Sequence, residues 1–162
     1  MSDAAPARTY TDAELLERFG RTRNRPPSTE TLGFRVVRVD QAAGEVEATF
    51  EGRESFGNNT GVIQGGFLGA MLDEVTTIAG MVASGLSSAF PTLEMKTSYF
   101  RPCKAGTVRG VGRVIRLGRT VAFLEGDLYD AEGRHVARAT VTAVPTPIQR
   151  APRPESQAGE AA

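Results

Sequence analysis

The sequence predicts an α+β domain in which a curved antiparallel sheet wraps one long central helix. Three observations carry that reading. An apolar run from Phe67 to Ala83 has the length of a long helix. Two strand-like runs precede it, LGFRVVRVD and GEVEATFEG, and four follow it: TLEMKTSYF, TVRGVGRVIR, TVAFLEGDLYD and HVARATVTAV. A lone helix that is apolar nearly all round must be covered by sheet rather than laid on a surface.

The elements can be justified in chain order. Thr11 opens a short helix, TDAELLERFG, and Glu14 three residues on completes a capping box. RTRNRPPSTE reads as a proline-containing connector, so residues 1–30 form an N-terminal extension. The first two strand runs are joined by the turn-forming DQAAG. The last four are joined by RPCKAG, LGR and AEGR, each with a glycine suited to a turn. The sheet-and-helix domain spans 31–146. From Pro145 the composition turns to Pro, Arg, Glu and Ala, so 147–162 is expected to be a disordered tail. Strand, strand, long helix, four strands is the pattern of the hotdog fold.

Bulk properties exclude several classes. The 162 residues fit one domain. A net charge of zero gives no basis for wholesale binding to nucleic acid or an anionic membrane. The single cysteine, Cys103, cannot pair internally, the N-terminus has no apolar signal region, and a cytoplasmic location is expected. The Phe67–Ala83 run is marginal for a membrane span and carries two acids near its centre, so that reading is rejected. With His135 as the only histidine, no metal site is expected. Cys103 reads as a turn residue rather than a nucleophile.

The acids inside the helix raise the functional question. On a helical wheel Phe67, Met71, Val75, Ile78 and Val82 form a large apolar stripe. Gly66, Gly69, Ala70, Asp73, Thr76, Thr77 and Gly80 form a face of small residues around Asp73. Small residues permit close approach of a ligand or another backbone. Asp73 is either an acid at a solvated rim, satisfied by Thr77, or a group held for chemistry. Glu74, offset by about 100° on the wheel, reads as a rim or ion-pair residue. Gln64-Gly65-Gly66 at the helix entry offers backbone N–H groups at the positive end of the helix dipole, a setting suited to a developing oxyanion.

At these residues the sequence resembles the hotdog-fold acyl-CoA thioesterases of the PaaI type, kin to the 4-hydroxybenzoyl-CoA thioesterases. The likeness covers about residues 30–146. The family pattern of an Asn, then His-Gly-Gly, then a helix acid is met by Asn58, Gly65, Gly66 and Asp73. Thr92 in FPTLEM matches a Ser or Thr entering the next strand, and YFRPCKAG resembles the family's aromatic-x-Pro-x-x-x-Gly turn. The resemblance implies that Asp73 is general base or nucleophile and that the Gly65 N–H polarises the thioester carbonyl. It further implies that Asn58 holds water or carbonyl, that Thr92 orients the acid's water, and that Thr77 assists. Gln64 stands where the family has histidine and cannot titrate near neutral pH.

A CoA thioester needs cations for its phosphates. Arg101, Lys104, Arg113, Arg116 and Arg119 lie near strand ends, and Arg101, Lys104, Arg116, Arg119 and Gly66 are the expected CoA contacts. No cofactor beyond the acyl-CoA substrate is expected. The implied assembly is at least a homodimer, with a homotetramer favoured. Dehydratase chemistry is disfavoured because His135 lies in a late strand. The rival readings are a non-catalytic acyl-CoA binding or sensing module and a structural oligomer with a vestigial site.

Overall fold

The computed structural model describes residues 10–21 and 25–148. Residues 149–162 of the expected tail lie outside that range. All six strand-like runs are strands: β1 (Arg35–Asp40), β2 (Glu45–Gly52), β4 (Thr92–Tyr99), β5 (Gly106–Leu117), β6 (Ala122–Tyr129) and β7 (His135–Ala143). They form one antiparallel sheet in the order β1-β2-β5-β6-β7-β4. Two short strands not anticipated, β3 (Ser88–Ala89) and β8 (Thr146–Pro147), pair with each other.

Strand periodicity sorts the side chains between the two faces. In β2, Val46, Ala48 and Phe50 are buried in the core while Glu45 and Glu47 turn outward. In β6, Leu124, Gly126 and Leu128 face inward, and Asp127 faces outward. The inner face receives α3 (Gly65–Ala83), the 19-residue helix. A cross-strand glycine pair, Gly112 opposite Gly126, lets the helix backbone rest directly on the sheet. A Cβ at Gly112 would stand 2.2 Å from the Val75 carbonyl oxygen, and one at Gly126 would stand 2.8 Å from Thr76 Cγ2.

The expected sheet around one central helix is present, and within one chain the sheet covers one side of α3. At 100° per residue, the buried residues Met71, Val75, Leu68, Leu72, Thr76 and Gly80 fill one continuous arc. Gly66, Ala70, Asp73, Glu74, Thr77 and Ile78 fill the other, and all are exposed or half-buried. The apolar stripe is therefore split: Val82 is buried with Met71 and Val75, while Phe67 and Ile78 are only partly so. The helix stops where Gly85 takes a positive φ of 61°, with the Gly85 and Leu86 N–H groups returning to Val82 and Met81 carbonyls. It is long and apolar enough to cross a membrane, yet it is the central helix of this fold.

The N-terminal extension contains α1 (Asp12–Arg21), opened by the anticipated capping box: the Thr11 N–H donates to Glu14 Oε2 (2.8 Å) and the Glu14 N–H to Thr11 Oγ1 (3.2 Å). The connector holds a second short helix, α2 (Pro27–Thr31). The prolines of that connector sit at the N-cap and first turn, where a missing N–H costs no hydrogen bond.

The outer face of the sheet is a network of charge. Asp127, 1% exposed, accepts from Arg113 (2.8 Å) and Arg138 (2.7 Å). Burial alone would raise its carboxyl pKa, but the hydrogen bonds from Arg138 and Arg113 overcome that and hold it below the ordinary range.

Candidate active site

Asp73 projects from the middle of α3 toward the first residue of β4. The Thr92 hydroxyl donates a 2.6 Å hydrogen bond to Asp73 Oδ1. These two residues, 19 apart in sequence, are brought together by the strand entry. Phe90, buried, packs on Gly80, where a Cβ would stand 2.8 Å from its ring. Gly80 lies two turns beyond Asp73, so that contact pins the start of β4 over the acid. β4 is an edge strand, and Leu93 beside Thr92 is 67% exposed.

Thr77 is not the recorded partner of Asp73. Its neighbour Thr76 turns its hydroxyl back to the Leu72 and Asp73 carbonyls (2.9 and 3.1 Å), while Thr77 lines a cavity with Glu74. Of the two readings of Glu74, rim or ion-pair residue, the structure gives a half-buried position with no ion pair among the described residues. Glu74 Oε1 accepts from the Thr29 hydroxyl of α2 (2.8 Å). Burial pushes its carboxyl pKa up; the Asp73 charge adds to that and the Thr29 hydrogen bond opposes it.

At the helix entry Gln64 is the N-cap, with extended backbone (φ −59°, ψ 134°) and no side-chain capping bond. Gly65 and Gly66 follow as the first helical residues, so their N–H groups have no carbonyl within the helix to bond to. Asn58 is committed to its own loop on one side. Its Oδ1 accepts from the Thr60 N–H (2.9 Å), the Thr60 hydroxyl (2.7 Å) and the Val62 N–H (3.4 Å), while its amide nitrogen donates no bond among the described residues. One residue the sequence reading missed is Tyr99, whose hydroxyl donates to the Gly65 carbonyl (2.8 Å). Its ring would lie 3.3 Å from a Cβ at Gly65, so a side chain there would crowd it. The signal was the tyrosine that opens YFRPCKAG, and nothing local indicated that it reaches the helix.

The candidate cations do not form one cluster. Arg101 lines a cleft with Gly65 and Tyr99, and Lys104 lines a neighbouring cleft with Asn58 and Arg53. Arg116 and Arg119 stand at the far end of β5, about 30 Å away at about 3.3 Å per residue. Arg113 is removed from the set, because it is spent on Glu45 (2.9 Å) and Asp127. His135 Nε2 lies 2.7 Å from Asp127 Oδ1 without hydrogen-bond alignment, on the face of the sheet opposite α3. Cys103 is buried, and burial followed by the charges of Asp130 and Glu132 pushes its thiol pKa up, the reverse of what a nucleophile needs.

A carboxylate on an open helix face, held by an edge-strand hydroxyl and placed on the helix that the paired glycines start, is the candidate site of this hotdog fold. The profile of the thioesterase superfamily matches residues 60–137. A phenylacetic acid degradation-related protein from Ralstonia eutropha JMP134, known from its crystal structure, is 36% identical; the match covers 80% of this chain and 98% of that one, with a TM-score of 0.70. Human acyl-coenzyme A thioesterase 13 is 26% identical over 130 residues, 75% of this chain and 89% of that protein. The PaaI protein of E. coli, at 15% identity and a TM-score of 0.71, covers 83% of this chain and 96% of its own, and shares the fold. The chain belongs to the thioesterase superfamily. Within it the chain is a PaaI-like hotdog thioesterase, a thioester hydrolase.

Proposed function

We propose that the protein hydrolyses acyl-CoA thioesters to the free acid and CoA, with Asp73 as the attacking or proton-accepting group. The observation that carries this reading is the 2.6 Å bond from Thr92 to Asp73, which aims a carboxylate at the open arc of α3. As a base, Asp73 takes a proton from water while the water oxygen adds to the carbonyl carbon. The C–S bond then breaks and the CoA sulfur leaves with a proton. As a nucleophile, an Asp73 oxygen adds to the carbonyl carbon, and the C–S bond breaks to release the CoA thiolate, which takes a proton from solvent. Water later opens the resulting anhydride to the free acid and the Asp73 carboxylate. In both routes charge builds on the carbonyl oxygen, and the Gly65 N–H is the donor suited to receive it.

Distance argues that two chains share each site. Gly65 and Asp73 are eight residues apart in α3, about 12 Å at about 1.5 Å per residue. A carbonyl must sit about 3 Å from its oxyanion donor and within near-attack distance of the acid. One helix does not supply both, whereas antiparallel α3 helices of a two-fold dimer do. The uncovered small-residue arc and the unpaired β4 edge support that pairing. CoA phosphates fall to Arg101 and Lys104, which line the clefts nearest Gly65 and Asn58. Arg116 and Arg119 serve such a site only from another subunit. No cofactor enters the reaction.

The test is complementation. Asp73→Ala removes the acid. Gly65→Pro removes the N–H at a position where proline suits the helix start, and Gly65→Ala, which crowds the Tyr99 ring in the same way but keeps the N–H, is the control for the added side chain. The Asp73→Ala and Gly65→Pro homodimers should each lose kcat by orders of magnitude, and mixed dimers of the two should regain one intact site in two. Confirmed heterodimers that stay inactive would refute the shared site, and an Asp73→Ala enzyme with most of its kcat would refute the role of the acid.

A further inference from the structure

β4 meets α3 at two polar contacts. At its first residue the Thr92 hydroxyl holds Asp73, and at its last the Tyr99 hydroxyl donates to the Gly65 carbonyl (2.8 Å). The second contact falls on the residue proposed as oxyanion donor. Three features set Tyr99 apart from a packing tyrosine. It is 52% exposed, so water can satisfy its hydroxyl and the bond adds little to stability. Its strand end is fixed without it: Tyr99 pairs with Ala137, the Phe100 N–H donates to the Val136 carbonyl (2.8 Å), and Arg101 Nη1 donates to the His135 carbonyl (2.9 Å). Its side chain lies across Gly65 and Gly69, one turn apart. A Cβ at Gly65 would stand 3.3 Å from the ring, and one at Gly69 would stand 3.5 Å from the hydroxyl.

The helix start needs such a support. Gln64 makes no side-chain capping bond, and the two glycines that follow carry the backbone freedom of their type. The Phe67 N–H is taken by the Gln64 carbonyl (2.9 Å), whereas the Gly65 and Gly66 N–H groups donate to no acceptor among the described residues. An oxyanion donor acts only when it is held at hydrogen-bond distance from the charged oxygen. The Gly65 carbonyl and the Gly66 N–H are two ends of one peptide plane. A bond on the carbonyl therefore fixes the direction of that N–H and, by polarising the peptide, strengthens it as a donor. Nothing among the described residues would stand within 4 Å of a Cβ at Gly66, so its N–H side is open to approach. Resting on the hydrolysis reading above, we infer that Tyr99 is a positioning residue for the reaction. Through the Gly65 carbonyl it holds the first peptide of α3 so that the Gly66 N–H joins that of Gly65 in donating to the thioester oxyanion. In a dimer that shares its sites, β4 of each chain then orients the acid of one site through Thr92 and the oxyanion donors of the other through Tyr99.

The experiment replaces Tyr99 by phenylalanine, which keeps the ring beside Gly65 and removes only the hydroxyl. Steady-state thiol release from hexanoyl-CoA and phenylacetyl-CoA gives kcat and KM for the full-length parent and variant. Losing a whole oxyanion donor costs about 100–1,000-fold in kcat, but here the N–H groups remain and only their support goes. The expectation is a fall in kcat of about tenfold, with KM within about twofold and the melting temperature unchanged. The substrate carbonyl supplies a readout that a packing role would not move. Each thioester, isotope-labelled at its carbonyl, is bound to Asp73→Ala protein, and infrared difference spectra give the C=O stretch, which falls as donors polarise it. Adding Tyr99→Phe should return that stretch part of the way toward its value for the free thioester. An unchanged kcat, or a lower kcat with an unmoved carbonyl stretch, overturns the assignment while leaving hydrolysis intact. If the parent hydrolyses neither thioester, the hydrolysis reading fails by itself, and the amide nitrogen resonance of Gly66 in the ligand-free protein decides the role of Tyr99. A Gly66 resonance that moves in Tyr99→Phe keeps the donor peptide under the control of the hydroxyl, and one that does not move overturns it.

Discussion

Replacing Thr92 by valine tests the contact on which the active-site reading rests. Valine keeps the β-branched shape that suits the start of a strand, so β4 should form as before. What is lost is the single recorded donor to the Asp73 carboxylate among the described residues, at 2.6 Å. A hydrogen bond to a charged group is worth about 1.5–3 kcal/mol, and about 1.4 kcal/mol corresponds to a factor of ten in rate. Asp73 is only half-buried, so water can replace part of the lost bond, which favours the lower end of that range. The expectation is a fall in kcat of about tenfold with KM little changed, because the hydroxyl touches the acid rather than CoA. Thr92→Ser retains the hydroxyl and should recover most of the rate. The assay is steady-state thiol release for the three proteins, with thermal denaturation to confirm equal folding. A Thr92→Val enzyme with unchanged kcat, or a serine variant as impaired as the valine one, would refute the orienting role.

Two further predictions concern the scaffold. Gly112→Ala would place a Cβ 2.2 Å from the Val75 carbonyl oxygen, so α3 must lift by about 1 Å to regain ordinary contact, at a cost of about 1–3 kcal/mol. Because Val75 is two residues from Asp73, that shift should also lower kcat, by up to about 100-fold, and a variant with unchanged melting temperature and rate would disprove the close approach. Asp127→Asn removes the charge that anchors Arg113 and Arg138, and should destabilise the fold at neutral pH by about 2–3 kcal/mol, discounted from the buried-pair range because both arginines are partly exposed. The Asp127 carboxyl is depressed in the folded state, so its stabilisation is present above the ordinary value of 3.8 and is lost as pH falls through the lower folded value. Denaturation curves of variant and parent should therefore converge below pH 3.8, and a constant gap across pH would show that the charge is not the cause.

The sequence by itself determined the order of the six long strands and α3, and marked Asp73 as the candidate acid. Period-two alternation marked the strands and the long apolar run marked α3, because these patterns are local consequences of which side chains face the core. The Thr11–Glu14 capping box was legible for the same reason, since all its atoms lie within one turn. Two prolines hid α2, because a proline in a loop and one at a helix start look alike in a segment too short to show helical periodicity. Tertiary structure decided what depended on contacts between distant segments. It gave Asp73 to Thr92 rather than Thr77, turned Tyr99 onto Gly65, and placed Glu74 in a cavity beside Thr29 instead of an ion pair. It also separated Arg101 and Lys104 from Arg116 and Arg119 by the length of a strand, although all four stand near strand ends. Helical periodicity gives the angle at which a side chain leaves the helix axis. What meets it there is fixed by the sheet register and by the glycines that let α3 lie against β5 and β6.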